Sequence, residues 1–358
     1  SRETEQKVVG LSMLLWDRSE EAAHGRCCGA LDLSDAKRVA QQAGIPHYTL
    51  RLDREFREKV VDPFVSDYLA GRTPSPCVAC NTWIKFDLLL EKARSFGADK
   101  VATGHYARIV QGPEGLELHT AADAAKDQSY YLFELTEEQL AASLFPLGEK
   151  TKPEVRELAR AAGLATAEKG ESMEVCFVSG GIREFVESEV AAAPERYARA
   201  SAATAAVPAA LVDASGQKLG EGDPYYRYTV GQRRGLDLGD LPGGERLYVI
   251  GIQPEQNRVT VGPDAALLAQ GLIGERLHWI GKPPALSSDG TVEATVRIRS
   301  RHAGVRAHIR PLADSIGEAR VEIQFAEPQR GVTPGQAAVF YQGTRVLGGC
   351  WIVGDCGG

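Results

Sequence analysis

Hydrophobic and polar positions follow two different patterns along the chain of 358 residues. In the first half, short apolar runs alternate with stretches that repeat every three to four residues, as amphipathic helices do. The runs expected to be strands are 8–16, 47–52 and 101–104, and the stretches expected to be helices are 34–44, 54–70 and 84–96. This alternation predicts an α/β domain with a doubly wound parallel sheet that is covered by helices on both faces. Ligands of such sheets bind beyond the carboxyl ends of the strands, where Met13, Gly104 and His105 stand.

From about residue 247 onward the pattern changes to short alternating runs separated by Gly, Pro and Asp, which is typical of an all-β barrel or sandwich. The segments between the two patterns are predicted to be a helical stretch at 136–163, a short strand in MEVCFV at 173–178 and a helix in REFVESEV at 183–190. We therefore predict three parts: an α/β domain at 1–170, a small central domain at 171–245 and a C-terminal β-barrel at 246–358.

Composition adds few constraints. Hydrophobic residues make up 43% and charged residues 25% of the chain, and no apolar run approaches the roughly 20 residues of a membrane-spanning helix. The opening SRETEQ is too polar for a signal peptide, and an odd count of seven cysteines suits a reducing compartment. We expect a cytoplasmic protein without a membrane partner. Because the formal net charge is −7, any basic surface for nucleic acid must be local.

Two cysteines stand two residues apart in PCVAC, in a segment predicted to be a loop that runs into a helix. Such a Cys-x-x-Cys pair holds a metal or cluster, acts as a redox dithiol, or arises by chance. A second pair that would complete a zinc site is missing from the sequence. A helix N-terminus after Cys80 would stabilise its thiolate and lower its pKa, which favours Cys80 over Cys77 as a nucleophile.

Three further motifs allow both a functional and a structural interpretation. Without further context, Cys176 in MEVCFV is predicted to be a small core residue rather than a reactive thiol. Gly104 in TGHYAR would let a nucleotide approach the backbone, and His105 would bind a phosphate or base, or else stabilise a turn. In KDQSYYLF, predicted to lead into an aromatic strand, Asp127 and Gln128 suit an unstacked base, but a solvated turn explains them too.

Arginines are concentrated in two segments of the second half. RIRSRHAGVRAHIR (297–310) contains five and YYRYTVGQRRGL (225–236) contains three beside tyrosines. Both combinations can hold RNA through charge and stacking. The alternatives are solvent-facing residues of barrel strands and a solvated turn.

Taken together, seven segments resemble the tRNA-specific 2-thiouridylases in their order and approximate spacing. They are AGRTPSPCVACNTWIKF, ATGHYAR, KDQSYYLF, LFPLGEKTKPEVRELA, ESMEVCFV, YTVGQRRGL and VTPGQAAVFY. The resemblance implies a Rossmann-like ATP-pyrophosphatase (PP-loop) domain, a small central domain and a C-terminal β-barrel that binds tRNA.

The resemblance also implies a chemistry. ATP with Mg²⁺ adenylates the C2 oxygen of the wobble uridine of tRNA, and sulfur then replaces that oxygen. In the family, the cysteine that matches Cys176 receives sulfur from an upstream sulfur-donor protein and carries it as a persulfide. The cysteine that matches Cys80 is the nucleophile that releases this sulfur. Some members have Asp at the position of Cys77. Because this chain has a cysteine there, the thiolates of Cys77, Cys80 and Cys176 could instead hold a four-iron four-sulfur cluster that delivers sulfide.

Further site residues follow from the matching motifs. Met13 and Gly104 match positions that contact ATP. The positions that match tRNA contacts are Ser75, Pro76, Cys77, His105, Lys126, Asp127, Gln128, Arg299, Ser300 and Gln336; the family usually has Arg-Tyr at 299–300. We add Lys85 and Arg233 as candidate phosphate contacts.

The phosphate loop of the family, Ser-Gly-Gly-x-Asp-Ser, does not occur in the 358 residues. We expect that it belongs to a segment preceding residue 1, of which SRETEQK is the end. The main alternative is a catalytically inactive tRNA-binding homologue without the ATP loop. A second alternative is an amidotransferase-like ATP pyrophosphatase, against which the barrel segments and the paired thiols argue. A third is a redox dithiol protein that uses Cys77 and Cys80, but the thioredoxin-like context that it requires is lacking.

Overall fold

A computed structural model describes residues 7–16, 30–170, 175–178, 180–201, 207–236, 238, 246–312 and 319–356. Within these ranges the α-helices are α1 (Ala30–Ala43), α2 (Asp53–Phe56), α3 (Asp62–Leu69), α4 (Pro76–Ala79), α5 (Leu89–Ser95), α6 (Glu137–Ala141), α7 (Lys152–Ala161), α8 (Ile182–Ala192) and α9 (Pro194–Ser201). The strands are β1 (Gly10–Leu14), β2 (His47–Arg51), β3 (Val101–Ala102), β4 (Ala107–Gly112), β5 (Gly115–Thr120), β6 (Ser143–Leu144), β7 (Ala209–Val212), β8 (Lys218–Gly222), β9 (Tyr248–Gln253), β10 (Arg258–Gly262), β11 (Leu268–Trp279), β12 (Val292–Arg297), β13 (Val305–Leu312), β14 (Arg320–Arg330), β15 (Ala337–Gln342) and β16 (Arg345–Asp355). None of the helices in the described ranges has the length and apolar character needed to cross a membrane.

The first part has parallel strands, as the alternation of strands and helices predicts. β1 pairs with β2 in register from Gly10–His47 to Leu14–Arg51, and β3 pairs in parallel with β6. The two pairs share one apolar cluster, which contains Val101 of β3 and against which Met13 of β1 packs. The carboxyl ends of β1 and β3 therefore belong to the same part of the domain.

Two long helical runs follow β2. The first joins α2 to α3 through a π-helical segment, Arg57–Val61, and agrees with the prediction at 54–70. The second, named here the cysteine helix, joins α4 to α5 through the π-helical segment Cys80–Leu88. It begins at Pro76 rather than at 84, because proline at the first helical position has a suitable φ and needs no hydrogen-bond acceptor.

Three other secondary-structure predictions are wrong. The aromatic strand predicted in KDQSYYLF is a 3-10 helix, Ser129–Leu132. The single helix predicted at 136–163 is two helices, α6 and α7, separated by β6. Each of them begins with a capping box, at Thr136 and Thr151, which pairs amide groups that would otherwise have no acceptor. The described part of MEVCFV, 175–178, forms a turn instead of a strand.

The central part forms a four-stranded sheet in the order β8-β7-β10-β9. β9 and β10 thus pair with β7 rather than with the barrel, although both stand after residue 246, where we predicted the barrel to begin. Their alternating pattern suits either sheet, so the pattern alone does not locate this boundary.

The C-terminal part is a closed antiparallel barrel of six strands. The order is β11-β14-β13-β12-β15-β16, and β16 pairs back with β11. Its core contains Ile309, Ile323 and Phe340, which are fully buried. The hairpin of β4 and β5 pairs with β16 from outside the barrel, so the first part and the barrel share one eight-stranded sheet.

Candidate active site

The cysteine helix lies between two hydrophobic cores. Cys80 and Ile84 belong to the core of the first and central parts. Val78 and Phe86 belong to a second core that includes Ala337 and other barrel residues. The helix that carries the Cys-x-x-Cys pair is therefore fixed by the α/β domain on one side and by the barrel on the other.

Cys77 and Cys80 differ in their environment although they are three residues apart. Cys77 stands in the first turn of the helix and is exposed, whereas Cys80 stands one turn further and is only 8% exposed. Burial raises the pKa of the Cys80 thiol, and the nearby Lys85 ammonium lowers it by less. The expectation that a helix N-terminus lowers this pKa is wrong, since the helix begins four residues before Cys80. The Cys80 thiol must lose a proton before it can act as a nucleophile.

Cys176 lies half-buried in the turn at 175–178, against the same apolar core that contains Cys80. The neighbouring Phe177 fixes this turn. Its ring centroid lies 5.5 Å from that of Phe56, 5.1 Å from Phe64 and 5.4 Å from Phe185, each with edge geometry. The structure thus places two cysteines that are 96 residues apart in the sequence on one core.

The structure does not support a cluster held by the three thiols. Among the described residues, which include all three cysteines, no group of three His, Cys, Asp or Glu side chains is arranged to hold a metal ion. Cys77 is exposed, Cys80 is buried and Cys176 is half-buried.

A loop of the barrel contacts the segment that leads into the cysteine helix. The Gln336 Nε2 donates hydrogen bonds to the carbonyl oxygens of Thr73 and Pro74, at 2.8 and 3.3 Å. The Thr73 amide donates to the carbonyl of Pro334 at 2.8 Å. At Gly335, where φ is +88°, a Cβ atom would lie 3.0 Å from the Thr73 nitrogen. This close backbone approach requires glycine and positions Ser75, which is buried, together with Pro76.

The turn at Lys126, Asp127 and Gln128 mainly serves internal contacts. The Asp127 carboxylate accepts hydrogen bonds from the amides of Ala121 and Ser129 and forms a 3.0 Å salt bridge with Arg297 of the barrel. The Gln128 Oε1 accepts from the Tyr106 amide at 2.9 Å. Neither explanation offered by the sequence fits Asp127, because its side chain is only 7% exposed and therefore neither solvated nor open to a base. Lys126 is half-buried.

Tyr131 is a site residue that the sequence did not single out. Its carbonyl accepts a 3.0 Å hydrogen bond from Asn81 Nδ2 of the cysteine helix. Partial burial raises the pKa of its phenol, and the nearby Ser300 and Arg301 of the barrel act against that rise. These residues are far apart in the chain, so no local motif reveals that they lie close together. The half-buried Tyr131 is thus a neighbour of both the cysteine helix and the barrel.

His105 is buried and uncharged. Its Nδ1 is 2.8 Å from the Thr103 hydroxyl, and its ring packs between Phe86 and Phe145. Burial lowers its pKa to about 3, so the imidazole carries no charge for a phosphate at neutral pH. These contacts favour the structural interpretation of this histidine.

Met13 and Gly104 stand where an α/β domain binds ligands. Met13 lies in β1, one residue before the strand ends, and Gly104 follows the carboxyl end of β3 by two residues. A Cβ atom at Gly104 would meet only Leu147, at an ordinary 3.7 Å. Internal packing therefore does not require glycine here, and a ligand that approaches the backbone gives a reason for it.

Comparison with known proteins identifies the family. Residues 2–180 match a model described as a tRNA methyl transferase HUP domain, 203–263 match a tRNA methyl transferase PRC-barrel domain and 269–352 match an aminomethyltransferase β-barrel domain. A protein of Geotalea uraniireducens (strain Rf4), named tRNA-specific 2-thiouridylase MnmA, is 47% identical over 358 residues, covering 98% of this chain and 89% of the relative. The chain belongs to the tRNA-specific 2-thiouridylase family.

Two other members of the thiouridylase family show the same extent of similarity. The protein of that name from Geobacter metallireducens is 46% identical and covers 98% of this chain and 91% of its own length. The one from Solibacter usitatus is 45% identical, with 96% and 92% coverage. The family and the three-part fold predicted from the sequence are confirmed.

Parts of two segments that the sequence analysis used lie outside the described residues. They are residues 1–6 of the opening segment and residues 171–174 before Cys176. Arg299 is described, and its guanidinium Nη1 donates to the carbonyl oxygen of Arg330 at 3.3 Å.

Proposed function

We propose that the protein catalyses the ATP-dependent 2-thiolation of the wobble uridine of tRNA. The observation that carries this proposal is the placement of Cys80 and Cys176 on one core, together with the contact of the barrel loop with the segment that leads into the cysteine helix. The relatives named above are enzymes by name, so they give no support to the alternative of an inactive tRNA-binding protein.

The first step activates the uridine. The C2 oxygen of the base attacks the α-phosphorus of ATP and pyrophosphate leaves, so that C2 carries AMP as a leaving group. Mg²⁺ accompanies the phosphates as their counter-ion. The position of Gly104 supports nucleotide binding at the carboxyl end of β3, where backbone groups are open to approach.

The second step transfers sulfur. A sulfur-donor protein leaves a persulfide on Cys176. The Cys80 thiolate attacks the Cys176 sulfur, a Cys80–Cys176 disulfide forms and hydrosulfide departs. Hydrosulfide attacks C2 of the activated uridine and AMP leaves. Two electrons from an external thiol reductant then restore both thiols. Because the described cysteines form no metal-binding group, no step is assigned to an iron–sulfur cluster.

The three cysteines provide the test. Full-length protein, its sulfur donor, ATP and unmodified tRNA are incubated, and 2-thiouridine is measured by mass spectrometry of the digested tRNA. We expect that Cys80→Ala and Cys176→Ala each abolish the product while Cys77→Ala retains it. Loss of product in all three variants together with stoichiometric iron in the wild type would favour the cluster. Binding of tRNA by the wild type without any product would favour the binding protein.

A further inference from the structure

A short segment, residues 131–135, joins the cysteine helix to the barrel. At its start, the Tyr131 carbonyl accepts the 3.0 Å hydrogen bond from Asn81 Nδ2 of the helix. At its end, the Leu135 carbonyl oxygen lies 3.3 Å from Nε2 of His278 in β11. The backbone of this segment, named here the linking segment, is thus bound to the helix on one side and to the barrel on the other.

The Glu134 carboxylate of the linking segment contacts both sides at once. Its Oε2 accepts a 2.8 Å hydrogen bond from the Thr82 hydroxyl of the cysteine helix. Its Oε1 accepts a 2.7 Å hydrogen bond from Nε1 of Trp351 in β16 and forms a 3.3 Å ion pair with Arg276 of β11. Because the Glu134 side chain is only 9% exposed, loss of the carboxylate would leave partly buried donors without their acceptor. Glu134 therefore ties Thr82 to two strands of the barrel.

The barrel is shaped to receive the linking segment. Arg276 has a left-handed backbone with φ of +53°, which is uncommon for a residue other than glycine, and it stands where the pairing of β11 with β16 changes register. At this irregularity the Arg276 guanidinium lies 5.5 Å from the centre of the Trp351 ring, beside Glu134. A Cβ atom at Gly349 of β16 would lie 2.6 Å from the Phe133 ring. Both strands thus accept the linking segment through close contacts.

The helical side of the contact lies next to the attacking thiol. Thr82 stands two residues after Cys80 in the π-helical part of the cysteine helix, and π-helical turns are found frequently at functional sites. The Thr82 hydroxyl also lies 3.0 Å from the carbonyl oxygen of Val78, so it connects the residues on both sides of Cys80. Because Cys80 and Thr82 share one helical turn, a displacement of Thr82 moves Cys80 relative to Cys176.

We propose that Glu134 is a positioning residue for sulfur transfer, which holds the helical turn of Cys80 against the barrel through Thr82. This inference rests on the proposed function, in which Cys80 attacks the sulfur on Cys176. The reacting atoms of such a step must lie about 3–3.5 Å apart and be aligned. A small displacement of the helix therefore lowers the rate of sulfur release without removing a contact to tRNA.

Two substitutions of Glu134 separate its hydrogen bonds from its charge. Glu134→Ala removes the acceptor of both the Thr82 hydroxyl and the Trp351 indole. Glu134→Gln keeps the link, because the amide oxygen still accepts from Trp351 and the amide nitrogen donates to the Thr82 oxygen. The Thr82 hydroxyl then donates to the carbonyl of Val78.

Glu117→Ala is the matched control. The Glu117 side chain is 12% exposed and, like Glu134, is a carboxylate of the first part that pairs with the barrel, through a 3.0 Å ion pair with Arg345 of β16. Its second partner is His119 rather than a residue of the cysteine helix. The control therefore loses a comparable contact to the barrel at a different place.

The test is a single turnover of the full-length protein. Each variant is loaded with sulfur by the donor protein and mixed with ATP and saturating unmodified tRNA, and 2-thiouridine is followed by mass spectrometry. The Kd for tRNA and the thermal unfolding are measured separately. We expect Glu134→Ala to lower the rate constant by about 10- to 100-fold with an unchanged Kd. Glu134→Gln should keep most of the wild-type rate, and Glu117→Ala should keep it even if its unfolding temperature falls.

A further substitution tests the path through Thr82. Thr82→Val should be about as slow as Glu134→Ala, and the double variant should be no slower than the slower single variant, because both remove the same link. Losses that multiply in the double variant would show that Glu134 does not act through Thr82 and would overturn the proposal.

The remaining outcomes separate the positioning role from the proposed function. If Glu134→Ala is no slower than Glu117→Ala, if Glu134→Gln is as slow as Glu134→Ala, or if the defect is confined to the Kd for tRNA, the positioning role is overturned. The enzyme then stands, because the wild type still thiolates tRNA. If the wild type forms no 2-thiouridine, the proposed function fails and the positioning role fails with it.

Discussion

The two cysteines assigned to sulfur transfer are held in opposite ways. Cys80 is part of a long helix that two hydrophobic cores enclose. Cys176 lies half-buried in a turn that the Phe177 ring fixes, with a backbone hydrogen bond from the Val178 amide to the Val175 carbonyl at 3.1 Å. Cys80 is buried, whereas Cys176 is partly accessible. The difference suits a fixed attacking thiol and a sulfur carrier that a donor must reach.

The largest loss of stability should come from removing the Phe177 ring, which fixes the turn that carries Cys176. Phe177→Ala leaves a cavity among Phe56, Phe64 and Phe185 and should destabilise the protein by about 3–5 kcal/mol. Cys176 should then react faster with iodoacetamide, as measured by mass spectrometry. Phe325→Ala, in the barrel core, is the control: its urea unfolding should shift comparably without a change at Cys176. Equal alkylation rates in both variants would mean that Phe177 does not fix the turn.

The next largest effect should be the pH dependence of sulfur release, which reports the ionisation of the Cys80 thiol. Because burial raises the pKa of Cys80, the thiolate forms only above the usual thiol pKa of about 8.5. Single-turnover sulfur release should therefore increase with pH through the alkaline range. Lys85→Gln removes a nearby cation and should move this limb to higher pH, whereas Lys92→Gln on the same helix should not. A rate that is flat from neutral pH upward would show that Cys80 is already ionised.

A smaller loss of stability should follow when the barrel loop is released from the segment that leads into the cysteine helix. Gln336→Ala removes two hydrogen bonds to the 73–74 backbone and should weaken this contact by about 1–2 kcal/mol. We expect faster hydrogen exchange at the Thr73 amide and a higher KM for tRNA. Gln324→Ala, which removes a hydrogen bond to Gln270 within the barrel, should leave both unchanged. An unaltered Thr73 amide in Gln336→Ala would exclude this role.

The smallest effect concerns the contact between Tyr131 and Ser300. Tyr131→Phe and Ser300→Ala each remove one of two neighbouring hydroxyl groups, and their double-mutant cycle should give a coupling energy of about 0.5–1.5 kcal/mol in tRNA binding. If the two substitutions change the free energy of tRNA binding additively, this contact does not contribute to tRNA binding.

Local pattern predicted much of the fold and less of the site. The parallel strands β1 and β2 and the helix between them follow from periodicity, and the cysteines were found through a motif and a family resemblance. The environment of Cys80 was predicted wrongly because the helix start at Pro76 and the burial by two cores are not local features. For Asp127 the sequence suggested a base contact or a solvated turn, and its salt bridge with Arg297, 170 residues away, is a tertiary contact that no local pattern predicts. The pairing of β9 and β10 with β7 likewise depends on tertiary contacts.

When no reductant is present, an attack of Cys80 on the sulfur carried by Cys176 leaves a disulfide between the two residues. A single turnover without reductant is therefore quenched with acid, and the digested protein is examined by mass spectrometry. We expect a peptide pair joined by a Cys80–Cys176 disulfide, formed in proportion to the 2-thiouridine produced and absent without tRNA or ATP. A disulfide between Cys77 and Cys80, or full product formation with both Cys80 and Cys176 still as thiols, would contradict it.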